Sequence, residues 1–406
     1  MASQPAIFFD VSHGFLPFEP SAEEFSDPIY QPWDHLIKQL PALIRSKSIQ
    51  SVVRTLPLLN IEKLRGEAEF RRAYVVLCFL SHAYIWSSTP PKEQVLPPTL
   101  TIPLLEISVF LEVPPVTTYA ALTLWNFTST KTGSFELDDI RIHYTFTGTI
   151  DEAWFYAVSI AIEERGNQII PLMLSTIQSM RNKDYLTAKD GMHRLANHID
   201  GLCSVLGRMY DKCDPDVFYH QIRPFLQGTY DPFHLPNGVY YAEGKGSRSW
   251  KRFRGGSNGQ SSLFRFLDIT LGIEHGSNHF GGGSFFQEMM EYMPGPHRRF
   301  LDLVSRDTSL KTHVMSSEDT DQGELLTAFR RLITQMTSLR DKHLVVVARY
   351  ITIPSQQSGD KHQGSEGLRG TGNTLLMPFL KQSRNETELT GNEGFSLGGR
   401  DGDCAA

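Results

Sequence analysis

The feature that most restricts this chain is a long helical run over residues 322–352, which ends before Pro354. Within it Leu326, Phe329, Ile333, Met336, Arg340, His343, Val347 and Tyr350 recur at steps of three and four, the period of one helix face. His343 therefore lies on the inward stripe. An imidazole so placed must find a hydrogen-bond partner, a charge or a metal, because burying it unpaired costs a few kcal/mol. Two readings stay open at this point: a core histidine bonded to a neighbour, which is the commoner case, or a ligand to a metal or haem iron.

The length of 406 residues suggests two or three domains, and 40% hydrophobic residues suffice for a sizeable core. A net charge of -6 without a dominant basic stripe argues against nucleic acid or an anionic membrane as the main ligand. The four cysteines, Cys78, Cys203, Cys213 and Cys404, form no CxxC, no CxxCH and no ladder of spacings. That excludes a zinc ribbon, a covalent c-type haem and a disulfide framework, and points to reduced thiols in the cytoplasm. Met1 to Glu19 lacks the basic and apolar regions of a secretory leader, and the apolar run Ala73–Trp86 is too short to span a bilayer. The sequons at Asn126 and Asn385 are accordingly expected to be unmodified.

Taken in order, residues 1–30 read as an extended arm, followed by helices over 34–54 and 61–86. Prolines then cut the chain into short helices at 103–112 and 116–125, and the alternation of Phe135, Leu137, Ile140, Ile142 and Tyr144 predicts a strand. A boundary is expected near Gly148. Thr149 and Glu152 form a capping box that opens a helix over 150–165, with Gly166 as its stop. Further helices are expected from Pro171 to Asn182, from Tyr185 to Met209, and from the Asp214-Pro215 cap to Gly228 with a kink at Pro224. A glycine-rich connection occupies 228–260, and helices follow at 260–274, 284–292, 296–305 and 322–352. The expected division is a small helical domain with a minor strand over 1–148, a large helical domain over 149–385, and a disordered tail over 386–406.

Several constellations are candidates for chemistry. Phe155, Ser159 and Ile162 share a face, although a helical serine commonly bonds back to the carbonyl four residues earlier. Arg223 lies beside the apolar stripe Phe218, Ile222 and Phe225; such an arginine either snorkels to solvent or clamps a ligand carboxylate. The segment Gly255-Gly256-Ser257-Asn258-Gly259 offers backbone amides to an anion but lacks the ending of a P-loop. His275 and His279 have zinc spacing, yet the glycines around them and the missing glutamate speak against a zinc site. There is no GxSxG elbow.

Six motifs taken together go further. Phe155-Tyr156-Ala157-Val158-Ser159, Phe218-Tyr219-His220-Gln221-Ile222-Arg223, Gly255 to Ser262, Tyr292-Met293-Pro294 with His297-Arg298, Ser338-Leu339-Arg340 with His343, and Gly370-Thr371-Gly372 resemble, in order and spacing, the indoleamine 2,3-dioxygenase family. The resemblance covers roughly residues 10–385, and the divergent loops are most similar to a fungal member. It implies a mostly α, two-domain fold holding one non-covalent haem b, with His343 as the proximal ligand of an iron that is ferrous in the active form. The implied reaction inserts both atoms of O₂ across the indole C2–C3 bond of L-tryptophan, giving N-formylkynurenine and opening tryptophan catabolism. By the same likeness Phe155 and Phe218 line the indole pocket, Tyr219 is a further substrate-binding residue, Ser159 is the distal hydroxyl, Arg223 pairs with the substrate carboxylate, and Thr371 belongs to a loop that closes over substrate. Gly256, Ser257, Asn258 and Arg340 border the haem, with Asp268 as an alternative partner for Arg340. Tyr219, Gln227 and Asn258 depart from the usual phenylalanine, serine and alanine, which bears on affinity and enantiomer preference. A monomer served by an external reductant is expected. The rival readings are a haem protein of the same fold acting as a sensor or scaffold, and a cofactor-free helical interaction protein.

Overall fold

The computed structural model describes residues 11–88, 90–129, 136–242, 248–276, 285–317, 322–358, 368–371 and 375–392. Helices dominate, and the strands form two small sheets. In one, β1 (Val95–Leu96) pairs in parallel with β4 (Val239–Ala242), which pairs antiparallel with β5 (Arg248–Lys251). In the other, β2 (Phe127–Ser129) runs antiparallel to β3 (Ile140–Ile142), so the expected strand is confirmed in its second half. Residues 130–135 lie outside the described residues. The connection 228–260 carries the β4–β5 pairing and is not structureless.

The N-terminal half is organised on the helix Gly66–Trp86, which is buried along nearly its whole length. The single helix expected over 34–54 is instead three, Gln31–Lys38, Leu40–Arg45 and Ile49–Arg54; Pro41 starts the second, and a positive φ at Lys47 turns the chain before the third. The expected helix 103–112 is Pro98–Leu111. In the sequon at Asn126, the side-chain amide is fully buried and donates to Tyr144 O at 2.9 Å.

Three helices build the C-terminal half: Ile150–Glu164, Tyr185–Gly207 and Gln322–Val347. The first and third both pack on Tyr185–Gly207, and one apolar core continues from Phe15 to Tyr350 through both halves. Thr149 caps the first helix as expected, accepting from Glu152 N–H at 3.3 Å. The reciprocal half of the box is absent: the buried Glu152 carboxylate instead accepts the amides of Phe146 and Thr147 and the hydroxyls of Thr147 and Tyr156. The helix ends at Glu164 with Arg165 as its cap, close to the expected end, but Gly166 is itself helical and begins the next helix, Gly166–Arg181; Gly14 packs there so closely that a Cβ on it would lie 2.9 Å from the Gly166 backbone. Pro171 accordingly lies inside that helix rather than at its start.

The last helix, Leu376–Asn392, corrects the expected tail: residues 386–392 are helical and packed, with Thr387, Thr390 and Gly391 buried. Arg384 pairs with Asp341 at 2.9 Å, and a Cβ on Gly391 would lie 3.0 Å from Ile333. Residues 393–406 lie outside the described residues. No helix among the described residues is long and apolar enough to cross a membrane.

Candidate active site

Prolines give the site its shape. At Pro354 the missing N–H removes one helical bond, and the chain widens so that Ile353 N–H donates five residues back to Ala348 O over Ala348–Thr352. The same wide turn occurs at Phe218–Ile222, just before Pro224, and at Ala120–Leu124. The helix expected from Asp214 to Gly228 is therefore a short cap, this wide turn and a tight 3₁₀ turn over Arg223–Leu226; Asp214 caps it as expected by accepting the amides of Asp216 and Val217. All three wide turns face one cavity of ≈ 250 Å³. One water needs only about 10–15 Å³, so the space suits a large group.

His343 lines this cavity and is only partly exposed. Neither ring nitrogen has a hydrogen-bond partner among the described residues. Burial, with the Arg340 guanidinium one turn away, pushes the imidazole down to about 4, so it is neutral at physiological pH and has the form that binds metals. Among the described residues no three His, Cys, Asp or Glu side chains converge to hold an ion. A lone imidazole on a roomy apolar cavity therefore fits a metal whose other ligands are supplied by a macrocycle such as haem.

Another wall is aromatic. Phe155 and Phe218 meet edge to face at 5.0 Å, and Phe218 meets Tyr350 in the same way at 5.7 Å. Ser159 faces the cavity while its hydroxyl donates weakly to Phe155 O at 3.3 Å, the backbone-bonded state that its helical position favours. Arg223 also lines the cavity; its Nη2 donates to Arg369 O at 2.6 Å and its guanidinium lies over the Tyr219 ring at 5.4 Å. Tyr219 itself is not among the lining residues. Neighbouring residues of a helical turn point in different directions, so with Phe218 turned inward Tyr219 supports Arg223 from behind.

The glycine-rich segment closes a third side. Gly228 and Gly255 let two backbones cross, since a Cβ on either would lie about 2 Å from a carbonyl oxygen of the other segment. Gly256, Ser257 and Asn258 line the cavity. Thr371 is docked on this segment: its hydroxyl donates to Gly256 O at 2.9 Å and its carbonyl accepts Gly255 N–H at 3.2 Å. Arg340 donates to Asp268 at 2.5 Å and to Ser383 at 2.6 Å. Asp268 continues through His275, at 2.9 Å, to Glu386 at 2.7 Å. His275 thus bridges two carboxylates; His279 lies outside the described residues. Burial opposes ionisation of Asp268, but Arg340 and His275 outweigh it and hold the carboxyl below its ordinary range.

Sequence reasoning missed several lining residues. Tyr119, Leu122 and Thr123 come from the N-terminal half, and nothing in their pattern marks them. Arg265 lines the cavity with a buried Nε that has no partner, as does Arg340; its only sequence signal is its place three residues before Asp268. These two cations suit the carboxylates of a haem edge.

Glu163, one turn beyond Ser159, is fully buried, accepts from Tyr119 O–H at 3.0 Å and Ser261 O–H at 2.5 Å, and leaves Oε2 without a partner. Burial pushes it up to about 7, against the pull of the two hydroxyls. A raised acid stabilises the folded state fully below its ordinary value near 4.5 and loses that contribution as pH rises through about 7. Glu163→Gln is therefore expected to remove on the order of 3 kcal/mol of the stability that the parent loses between about pH 5 and pH 8. Denaturant unfolding of both proteins at the two pH values checks this; identical slopes would show that Glu163 does not titrate.

Comparison with known proteins matches residues 6–390 to the family described as Indoleamine 2,3-dioxygenase. The chain is 38% identical to an indoleamine 2,3-dioxygenase of Saccharomyces cerevisiae, over 93% of this chain and 91% of that one. It is equally similar, at 38%, to a 6-hydroxytryptophan 2,3-dioxygenase of Fusarium equiseti, over 92% and 94% of the two chains. Indoleamine 2,3-dioxygenase 1 of Mus musculus is 32% identical over 88% and 89%.

Proposed function

This chain belongs to the indoleamine 2,3-dioxygenase family, and from that premise we propose that it is a haem-dependent dioxygenase converting L-tryptophan and O₂ to N-formylkynurenine. The observation that carries the reading is the meeting, in one cavity, of a neutral, unpartnered His343 with Phe155, Phe218 and Arg223. His343 would hold haem, with Gly256, Ser257, Asn258, Arg265 and Arg340 along its border, and haem when bound would supply the dioxygen-binding iron. The protein supplies binding and orientation. Phe155 and Phe218 offer two ring faces to an indole, which they hold by shape and dispersion without acid or base groups. Arg223 presents a planar fork to the substrate carboxylate, braced by Tyr219 and the Arg369 carbonyl. Ser159 is the one serine on that helix facing the cavity; its long bond to Phe155 O leaves the oxygen lone pairs free to accept from the substrate ammonium or indole N–H. Thr371, docked on Gly256, covers the cavity rim and keeps water from the reacting atoms.

The free thiols of Cys78, Cys203 and Cys213 suit a reducing compartment, which supports a cytoplasmic location. The Fusarium equiseti relative makes a ring-hydroxylated tryptophan the rival substrate. Haem-loaded, reduced protein is expected to form N-formylkynurenine from L-tryptophan, followed by its near-UV absorbance, with kcat/KM compared between tryptophan and 6-hydroxytryptophan. A higher value for the hydroxylated substrate would reassign the specificity. No product from either would instead support a same-fold sensor.

A further inference from the structure

The helix Gly66–Trp86 sends a row of polar side chains, each four residues from the last, against the back of the cavity walls. The Tyr74 hydroxyl reaches Pro114 O and Val116 O at 2.7 and 2.8 Å. Cys78 Sγ lies 3.3 Å from Val116 O, and Thr117 Oγ1 donates to Cys78 O at 3.1 Å. Trp86 Nε1 donates to Gly228 O at 3.2 Å. Between these stands His82, 1% exposed, which touches both walls at once. Thr117 N–H lies 3.2 Å from His82 Nε2, and His82 Nδ1 lies 3.0 Å from Phe225 O.

The partners settle the state of this ring. An amide N–H only donates and a carbonyl oxygen only accepts, so Nε2 must be bare and Nδ1 must carry the proton. The imidazole is thus neutral and doubly used; burial, which pushes it down to about 4, agrees. What it joins is specific. Thr117 stands two residues before Tyr119 and leads into the turn carrying Leu122 and Thr123, whereas Phe225 stands two residues after Arg223 and just before Leu226. His82 is bonded to both segments and so bears directly on their separation.

We propose that His82 is a positioning residue for substrate: by tying Thr117 to Phe225 it fixes Arg223 and Phe218 in register with Tyr119, Leu122 and Thr123, and so sets affinity for the amino-acid end of the substrate. This rests on reading the cavity as the substrate site. Its chemistry allows the two ties to be cut separately. Asparagine places an amide N–H near the Nδ1 position and keeps the tie to Phe225. Glutamine reaches the Nε2 position and keeps the tie to Thr117. Methionine fills the volume and forms neither.

The test measures kcat, KM, Soret absorbance and thermal midpoint for His82→Met, His82→Asn and His82→Gln, alone and combined with Arg223→Ala. His82→Met is expected to raise KM about tenfold with kcat and haem content within about twofold of the parent. His82→Asn is expected to recover most of that, because it keeps the tie on the Arg223 side. In the Arg223→Ala background, His82→Met should add less than twofold, since its effect passes through that arginine. An unchanged KM in His82→Met, or effects that multiply fully with Arg223→Ala, would overturn the role, even if the thermal midpoint falls. Should His82→Met fail to fold, KM values in His82→Asn and His82→Gln that do not differ overturn it equally. A parent inactive on both tryptophan and 6-hydroxytryptophan would overturn the cavity's assignment, and this role with it; an active parent with an insensitive KM overturns this role alone.

Discussion

His343→Ala is expected to yield a folded protein that no longer retains haem and has no dioxygenase activity. Among the described residues the imidazole is the single uncommitted metal-binding group on the cavity, and its neutral state means that no proton need be displaced on binding. Loss of groups that merely support a metal ligand costs roughly 10–100-fold in affinity, so loss of the ligand itself should cost at least that. The fold should tolerate the change. Among the described residues His343 gives up no hydrogen bond, and it already borders open space, so truncation leaves no orphaned donor there and should cost less than the ~2–5 kcal/mol of a core truncation. The measurement is Soret absorbance after haem titration, beside circular dichroism of the cofactor-free parent and variant. Wild-type haem content in His343→Ala would sink the ligand assignment. Partial recovery of the Soret band with added imidazole would show that the missing group is the ligand and not the local shape.

The parts of this site that could be read in the sequence are those whose side chains obey a helical period. Leu326 to Tyr350 followed one stripe, and that alone put His343 inward; the structure adds that inward means toward a cavity, which periodicity cannot distinguish from a core. Asp214-Pro215 was legible because a cap is a local bond. Gly166 was legible as the end of one helix, at Glu164, but not as the start of the next, because the backbone packed against that start, at Gly14, is distant in sequence. The last helix was read in part as a tail because its buried positions, Ser383, Thr387, Thr390 and Gly391, include no large apolar residue. Each threonine satisfies its hydroxyl on the carbonyl four residues back, at 2.9 and 3.0 Å, and so packs like an apolar residue while being counted as polar. The wall formed by Tyr119, Leu122 and Thr123 was hidden for a different reason: the wide turn that aims it is set by tertiary packing against Gly256, whose Cβ would meet Leu122 at 2.4 Å.

Arg223→Ala is expected to raise KM for tryptophan by roughly 30-fold or more while kcat and haem content change little. Cutting one partner of a desolvated, hydrogen-bonded ion pair costs about 2–5 kcal/mol, and 1.4 kcal/mol is tenfold. The effect falls on KM because a carboxylate remote from the indole is bound equally in the ground and transition states. Arg223→Lys should recover only part of the loss, since a lysine ammonium offers neither the planar fork nor the same stacking on Tyr219. A second consequence separates substrate binding from structure. Arg223 also donates to Arg369 O, two residues before Thr371, so its removal loosens the segment docked on Gly256. Tryptamine, which lacks the carboxylate, distinguishes the two effects. If Arg223 pairs with the carboxylate, the preference of the parent for tryptophan over tryptamine should collapse in Arg223→Ala, with tryptamine turnover nearly unchanged. If both substrates lose equally and the preference survives, the arginine acts through Arg369 and Thr371, and the carboxylate must be held elsewhere.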